Sequence, residues 1–373
     1  MSPSAMSLPA SPDGHLVKTW VVGHDGLLGS ALTREATGPL FSSSPVPWGD
    51  DAATLATLKG DFDRFIRWCD GQPWAIMWAA GTAVPSSPAA LIEAQEAVLI
   101  DFAQYVAGLG ARQSARLAGT PSGDCGEPVT GPGVFWYPST VTVYGSSHTN
   151  TWSEADPTSP RGPYPASKLR QEQTLTQVFT EAAQSETVQA ETTHHGPVHG
   201  ARPVGSSGGD AAGLARQGIR LVIGRINTLY GPGQDISKPQ GLITKMCYEA
   251  ITHGVVTIMV PMESLRDYVY VDDAALLAHA TVRTALASQD TVTLRILGSG
   301  RATSIAELVR IIHTVVGRRT HLLVVPASPD SVLAPMLVAQ TQDRSLHTIP
   351  HTSLIDGIHR VTQDIRQRLA RSG

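Results

Sequence analysis

Short apolar runs alternate with longer stretches of helical spacing along most of the chain. Residues 18–22, Lys-Thr-Trp-Val-Val, predict the first strand. Gly23-His-Asp-Gly26-Leu-Leu-Gly29 follows at once, and residues 30–36 carry helical spacing, so the chain opens as strand, glycine turn and helix. Residues 51–69 predict a helix, and 74–78 a short strand that ends in Ala79-Ala80-Gly81. Helical periodicity returns over 88–109, and another strand begins at 134–137. Farther on come a strand at 219–226, the loop Tyr230-Gly-Pro-Gly-Gln234, a helix near 241–253, a strand at 256–260 and an ordered segment 266–284. Beyond Leu294 the pattern reads strand, turn, helix, with a last amphipathic helix near 353–369. Strands alternating with helices imply an α/β fold with a parallel sheet covered on both faces.

Two stretches break this rhythm. Residues 110–133 and 184–213 are rich in Gly, Ser, Thr, Pro or Ala and read as surface insertions, and residues 1–17 read as a disordered tail without the features of a secretory signal. With 373 residues, 42% apolar and 16% charged, the chain has material for a sizeable core. A formal net charge of -4 offers no basic footprint for nucleic acid, and no run approaches the length of a membrane span. Cys69, Cys125 and Cys247 are far apart and unpaired in spacing, which suits a reducing cytoplasm and argues against a disulfide or zinc framework. The histidines His194, His195 and His199 fall in the second insertion, without the ordered surroundings a metal needs, so no metal site is expected.

The chemistry concentrates in Tyr164-Pro-Ala-Ser-Lys168. A phenol and an ammonium four residues apart share one helix face. A nearby cation favours the ionised phenol and moves it toward use as a base. Glycines at 23, 26 and 29 let a backbone turn tightly against a pyrophosphate at a helix N-terminus, with Leu27 and Leu28 between them. An acidic residue for the ribose hydroxyls is expected about 20 positions beyond such a turn. That region instead holds Ser42, Ser43 and Ser44, with no carboxylate before Asp50. Serines, with Arg34, suit the 2'-phosphate of NADP, and an ordinary polar loop is the other reading.

In this order the motifs resemble the NAD-dependent epimerase/dehydratase family, the extended branch of the short-chain dehydrogenase/reductases, with the best general match to nucleotide-sugar 4-epimerases. The resemblance rests on the glycine turn, Pro138-Ser-Thr140-Val-Thr-Val-Tyr144-Gly145, and Glu154 to Pro157 leading to Tyr164 and Lys168. It continues through Arg225 to Gln234, Arg266 to Asp273, Gly298-Ser-Gly300 with Ser304 and Glu307, and Ile349 to Gly357. It implies Tyr164 as catalytic base, Lys168 as the cation that assists it and holds the nicotinamide ribose, and Thr140 as the hydroxyl on the reacting sugar oxygen. Gly23, Gly26, Leu27, Leu28, Gly29, Ser42, Ala80 and Gly81 join that pair as cofactor contacts for NAD or NADP. Arg266 and Asn227 join Thr140 as substrate contacts. For Arg266 a salt bridge with Asp267 or Asp272 is the competing reading.

The implied architecture is a Rossmann-type doubly wound parallel sheet over 18–235, which segment 266–285 also joins, with a smaller, discontinuous substrate domain from 236–265 and 286–373. The implied partner is a nucleotide-sugar, in a cytoplasmic protein for which a homodimer is a common family assembly. Departures narrow the reaction. Val141 and Thr142 stand where dehydratases and decarboxylating members carry an acid, and no cysteine lies near Thr140 as in epimerase-reductases that invert two centres. The family's loop asparagine falls on Thr228, with Asn227 one place early. Epimerisation at C4 of an activated hexose is expected, with an NADPH-dependent 4-ketoreductase and a non-catalytic dinucleotide sensor as alternatives.

Overall fold

The structure is a computed structural model of the chain that describes residues 16–81, 87–112, 131–145, 151–193, 218–237, 241–317, 320–325 and 336–372. Its central sheet has five parallel strands: β1 (Lys18–Val22), β2 (Trp74–Trp78), β3 (Gly133–Thr140), β4 (Arg220–Ile226) and, at the far edge, Val292–Leu297. Helices cover both faces, as the alternation predicts. On one side lie α1 (Leu27–Arg34) and Val271–Ala287. On the other lie α2 (Asp51–Cys69), α3 (Ala89–Ala107) and α4 (Pro163–Thr193).

Strand alternation divides the core between the two faces. Along β2, Trp74, Ile76 and Trp78 join one cluster, whereas Ala75 and Met77 join the other. The first cluster is aromatic. Phe102 of α3 sits 5.7 Å from the rings of Trp20 and Trp78 and 6.3 Å from those of Phe62 and Phe135, at the edge-on and tilted angles that aromatic quadrupoles favour.

Local signals explain most boundaries. Asp50 caps α2 by accepting from the Ala53 amide at 3.0 Å, and Asp70 closes the helix in the left-handed region. Helix α1 starts at Leu27, three residues before the periodicity suggests, because Gly26 is already its N-cap and its carbonyl takes the Ser30 amide at 2.9 Å. Ser304 caps Ile305–Val316 by accepting from the Glu307 amide at 3.1 Å, and Gly317 ends that helix.

Three expectations need correction. The second strand of the doubly wound pattern is a single bridge, Leu40 to Thr19, so β1 lies next to the sheet edge. Pro39, Pro45 and Pro47 surround it, and prolines lack the amide that a longer ladder needs. The insertion expected from 184 begins inside α4, which continues to Thr193; residues 1–15, 113–130 and 194–217, with Cys125 and the three histidines, lie outside the described residues. A domain boundary at 286 does not match the sheet, because Val292–Leu297 pairs with β4 from Leu221 to Ile226.

The remaining helices, Leu242–Thr252, Ile305–Val316 and Leu354–Ser372, pack on one another and against the two-stranded sheet of Val255–Ile258 and His321–Val324. Their apolar side chains run into the cluster beneath Val271–Ala287. Asp273 fastens the two parts by accepting from the amide and hydroxyl of Thr352 at 2.7 and 2.8 Å. No helix among the described residues is long and apolar enough to cross a membrane. Truncating Phe102 to alanine opens the aromatic layer and is expected to cost about 3–5 kcal/mol, read as a lower urea midpoint with an unchanged slope.

Candidate active site

At the C-terminal ends of β1, β2 and β3 the sheet opens into a cavity of about 500 Å³. This is where a doubly wound sheet separates its connections to opposite faces, and where ligands bind in such folds. The glycine turn forms one wall. Gly23 has φ of 84°, and a Cβ placed on it would lie 2.7 Å from the Ala80 backbone, so the turns after β1 and β2 touch main chain to main chain. Gly29 is packed equally closely beneath the turn against the Gly23 carbonyl. Gly26, Leu27 and Leu28 line the cavity with the start of α1, whose N-cap has no side-chain hydrogen bond. Free amides at a helix start suit a phosphate group, and the close backbone approach leaves room for one. The turn therefore fits a dinucleotide.

The opposite wall carries the predicted chemistry. Thr140, at the end of β3, and Tyr164 and Lys168, at the start of α4, line the same cavity with Ala80, Gly81 and Asn227. Gly23 and Gly29 lie behind the lining rather than in it. Ser42 is exposed and outside the cavity. Arg34 is engaged with Asp272. Next to Ser42, the Ser44 amide and hydroxyl donate to buried Asp61 at 2.7 and 3.0 Å, and Arg64 donates to the Ser44 hydroxyl at 2.9 Å.

The Tyr164 and Lys168 pair differs from the sequence expectation. Burial pushes the Tyr164 phenol up to about 12 and pulls Lys168 down to about 8, although Glu172 and Glu96 oppose the lysine shift. The Lys168 ammonium donates to the Tyr137 hydroxyl at 3.1 Å and to the Pro138 carbonyl at 3.0 Å, and lies 4.8 Å from the centre of the Tyr137 ring. Its hydrogen bonds therefore go to β3, and desolvation outweighs the expected depression of the phenol.

Thr140 has two roles in the geometry. Its hydroxyl accepts from the Thr142 amide at 3.2 Å, capping the short 3-10 turn Val141–Tyr144, and it meets the Thr142 hydroxyl at 3.0 Å while still lining the cavity. Beneath it, Ser139 donates to Glu172, which is held by Arg225 through bonds of 3.0 and 2.6 Å. Both members of this ion pair are buried. Sequence reasoning missed Glu172, yet it stands four residues after Lys168 and shares the helix face of the pair, which was the available signal.

Asn227 lines the cavity with its amide fixed, donating to Asp267 at 2.9 Å and to the Ala339 carbonyl at 2.8 Å. Asp267 also accepts from the Ser299 amide and hydroxyl and the Gly300 amide, at 3.0, 2.6 and 2.9 Å; burial raises its pKa and these donors counter the rise. Gly298 is required beside them: a Cβ there would lie 2.0 Å from the Asn227 amide nitrogen. Arg266 lies outside the cavity lining and is buried. It forms neither of the salt bridges weighed for it, donating only to the Leu265 carbonyl at 2.7 Å among described residues. Among the described residues no cluster of three or more His, Cys, Asp or Glu could hold a metal.

A family model described as NAD dependent epimerase/dehydratase family matches residues 125–205 and 211–293. No protein of curated function matches the chain in sequence. Among solved structures the chain is similar to MoeE5 in complex with UDP-glucose and NAD, at a TM-score of 0.61 and 17% identity, over 94% of this chain and 99% of that one. It is similar also to the UDP-glucose 4-epimerase of Thermus thermophilus in complex with NAD, at 0.60 and 18%, over 94% and 99%. RMD from Pseudomonas aeruginosa, complexed with NADPH, matches at 0.59 and 17%, over 94% and 100%. At these identities the likeness is one of fold.

Replacing Gly298 by alanine drives a methyl group into the amide of Asn227 and the carboxylate of Asp267. A loss of about 1–3 kcal/mol is expected from such overpacking, measured as a fall in melting temperature relative to the parent chain.

Proposed function

We propose that the chain, which the NAD dependent epimerase/dehydratase family model matches over residues 125–205 and 211–293, is a nucleotide-sugar epimerase acting through a transient keto-sugar, at C4 of a nucleotide-activated hexose. The observation that carries this reading is the convergence of Thr140, Tyr164, Lys168 and the glycine turn on one cavity. NAD or NADP, when bound, supplies the nicotinamide that exchanges hydride with the sugar carbon. The residues of the chain move the proton and hold the oxygen.

In this reading Tyr164 exchanges a proton with the reacting sugar hydroxyl, and Thr140 hydrogen-bonds the same oxygen so that the carbon faces the nicotinamide. Lys168 holds the nicotinamide ribose and supplies a positive charge near the phenolate when it forms. Gly26, Leu27 and Leu28 receive the diphosphate, and Ala80 and Gly81 leave room along the sheet ends. For epimerisation the keto-sugar turns within the cavity, and Tyr164 returns the proton to the sugar oxygen as the carbon takes hydride back on its other face. Val141 and Thr142 supply no acid for dehydration, and the Thr142 hydroxyl is already engaged with Thr140. Arg266 is assigned to the substrate diphosphate on its chemistry: a buried guanidinium without a carboxylate partner among the described residues is suited to a forked contact with an anion. Asn227 is assigned to the substrate on its position in the lining. A cytoplasmic homodimer belongs to the same reading.

Two observations favour a second reading, an NADPH-dependent 4-ketoreductase. The loop after the Leu40 bridge presents Ser42, with Arg64 of α2 close by at Ser44 and no carboxylate before Asp50. Tyr164 is a protonated phenol at neutral pH, ready to donate to a carbonyl oxygen. Mass spectrometry of the cofactor released from purified protein separates the two. Retained NAD supports the epimerase, and an empty site that takes up NADPH supports the reductase.

Tyr164→Phe is expected to lower turnover about 10²–10⁴-fold while dinucleotide binding persists. Unchanged turnover on every accepted nucleotide sugar would sink the mechanism, whereas a parent chain that binds dinucleotide and turns over no nucleotide sugar would favour a dinucleotide sensor of the same fold.

A further inference from the structure

Lys168 is the first member of a chain of buried polar groups that leads from the cavity to α3. Its ammonium donates to the Tyr137 hydroxyl at 3.1 Å, and Tyr137 donates to the Gln171 carbonyl oxygen. The Gln171 amide nitrogen donates to the Ser167 hydroxyl at 2.9 Å, and Ser167 donates to Glu96 at 2.7 Å. Tyr137, Gln171 and Ser167 are buried, and Tyr137 and Glu96 do not line the cavity.

The direction of every bond follows from the carboxylate end. Ser167 donates its single proton to the Glu96 carboxylate. Ser167 must then accept from Gln171, which presents its amide nitrogen to the serine and its oxygen to Tyr137. The Tyr137 proton is therefore committed to Gln171, and only its lone pairs face Lys168. A neutral amine could still donate here, but its lone pair would find no donor, whereas every polar group of an ammonium donates and finds acceptors in Tyr137 and the Pro138 carbonyl. We propose that Glu96, Ser167, Gln171 and Tyr137 form a one-way hydrogen-bond chain whose function is to position Lys168 and hold it as a proton donor at the cavity. The four are positioning residues. The role rests on the reading of Lys168 as the cation of the catalytic pair.

The charged surroundings agree with this. Glu96 faces Lys168 from α3, and Glu172 faces it from its own helix, where Arg225 of β4 pairs with Glu172 and Arg170 pairs with Glu96 at 3.1 Å. Tyr137 of β3 and Tyr164 of α4 are the phenols beside it, both pushed upward by burial and so uncharged. Burial lowers the lysine, and the charges of Glu172 and then of Glu96, the carboxylate end of the chain, act against that shift.

The test measures Lys168 itself, in the full-length protein without substrate. Competitive acetylation with acetic anhydride between about pH 6 and 10, spanning the ordinary and lowered lysine ranges, gives by peptide mass spectrometry the midpoint at which Lys168 becomes reactive. The parent midpoint is expected near 8. Tyr137→Phe removes the acceptor and should lower it by about one unit, and Glu96→Gln, which keeps an acceptor for Ser167 but removes the charge, by about half a unit. Labelling at neutral pH should become several-fold faster in each. If Tyr137→Phe does not fold, the partly exposed Glu96→Gln decides. An unmoved midpoint in a folded variant overturns the proposal. Lowered midpoints in a protein that turns over no nucleotide sugar uphold the chain and count only against the proposed reaction.

Discussion

Helix α4 meets strand β3 through a polar seam within an otherwise apolar interface. Tyr137 bonds Gln171, Ser139 bonds Glu172, and Lys168 reaches back to the Pro138 carbonyl. Sliding the helix by one turn would unpair several buried groups at roughly 1–3 kcal/mol each. The Glu172 and Arg225 pair extends the seam into β4, where removing either charge would strand the other away from water. A purely apolar contact would tolerate such a slide more easily. The seam therefore fixes Tyr164 and Lys168 relative to Thr140, and the rest of the cavity is built around that relation.

The same seam sets the electrostatics. Because Lys168 is bonded to β3, the Tyr164 phenol is governed by its own burial and remains protonated at neutral pH, while the lysine is drawn toward neutrality from its usual value. Both shifts come from removing charge from water. A pair in this state holds one proton on the phenol and one positive charge beside it, which suits proton exchange with an oxygen whose charge changes during reaction.

Across the cavity the constraint is steric rather than polar. The glycine turn touches the Ala80 backbone, so any side chain at Gly23 would separate the ends of β1 and β2. The sheet beyond β1 is reduced to the Leu40 bridge, and Ser42 is exposed there.

Periodicity and local chemistry located most elements, because caps and turns are encoded within a few residues: Asp50 before α2, Ser304 with Glu307, and the glycines after β1. Motif order also brought Thr140, Tyr164 and Lys168 to one place, since a strand end and the next helix start in a parallel sheet open on the same edge. Other features depended on contacts between distant segments. The loss of the second strand reflects prolines that interrupt pairing with β1, and the placement of Val292–Leu297 in the sheet reflects its ladder with β4. Arg266 gives no local sign that it lacks a carboxylate partner among the described residues, and Tyr137 gives none that its hydroxyl would take the bond of Lys168. The sequence by itself determined which groups are available and the order of the elements that carry them. Only the tertiary structure decided where Lys168 points and how its charge is balanced, because burial and hydrogen-bond direction belong to the packed interface of β3, α3 and α4.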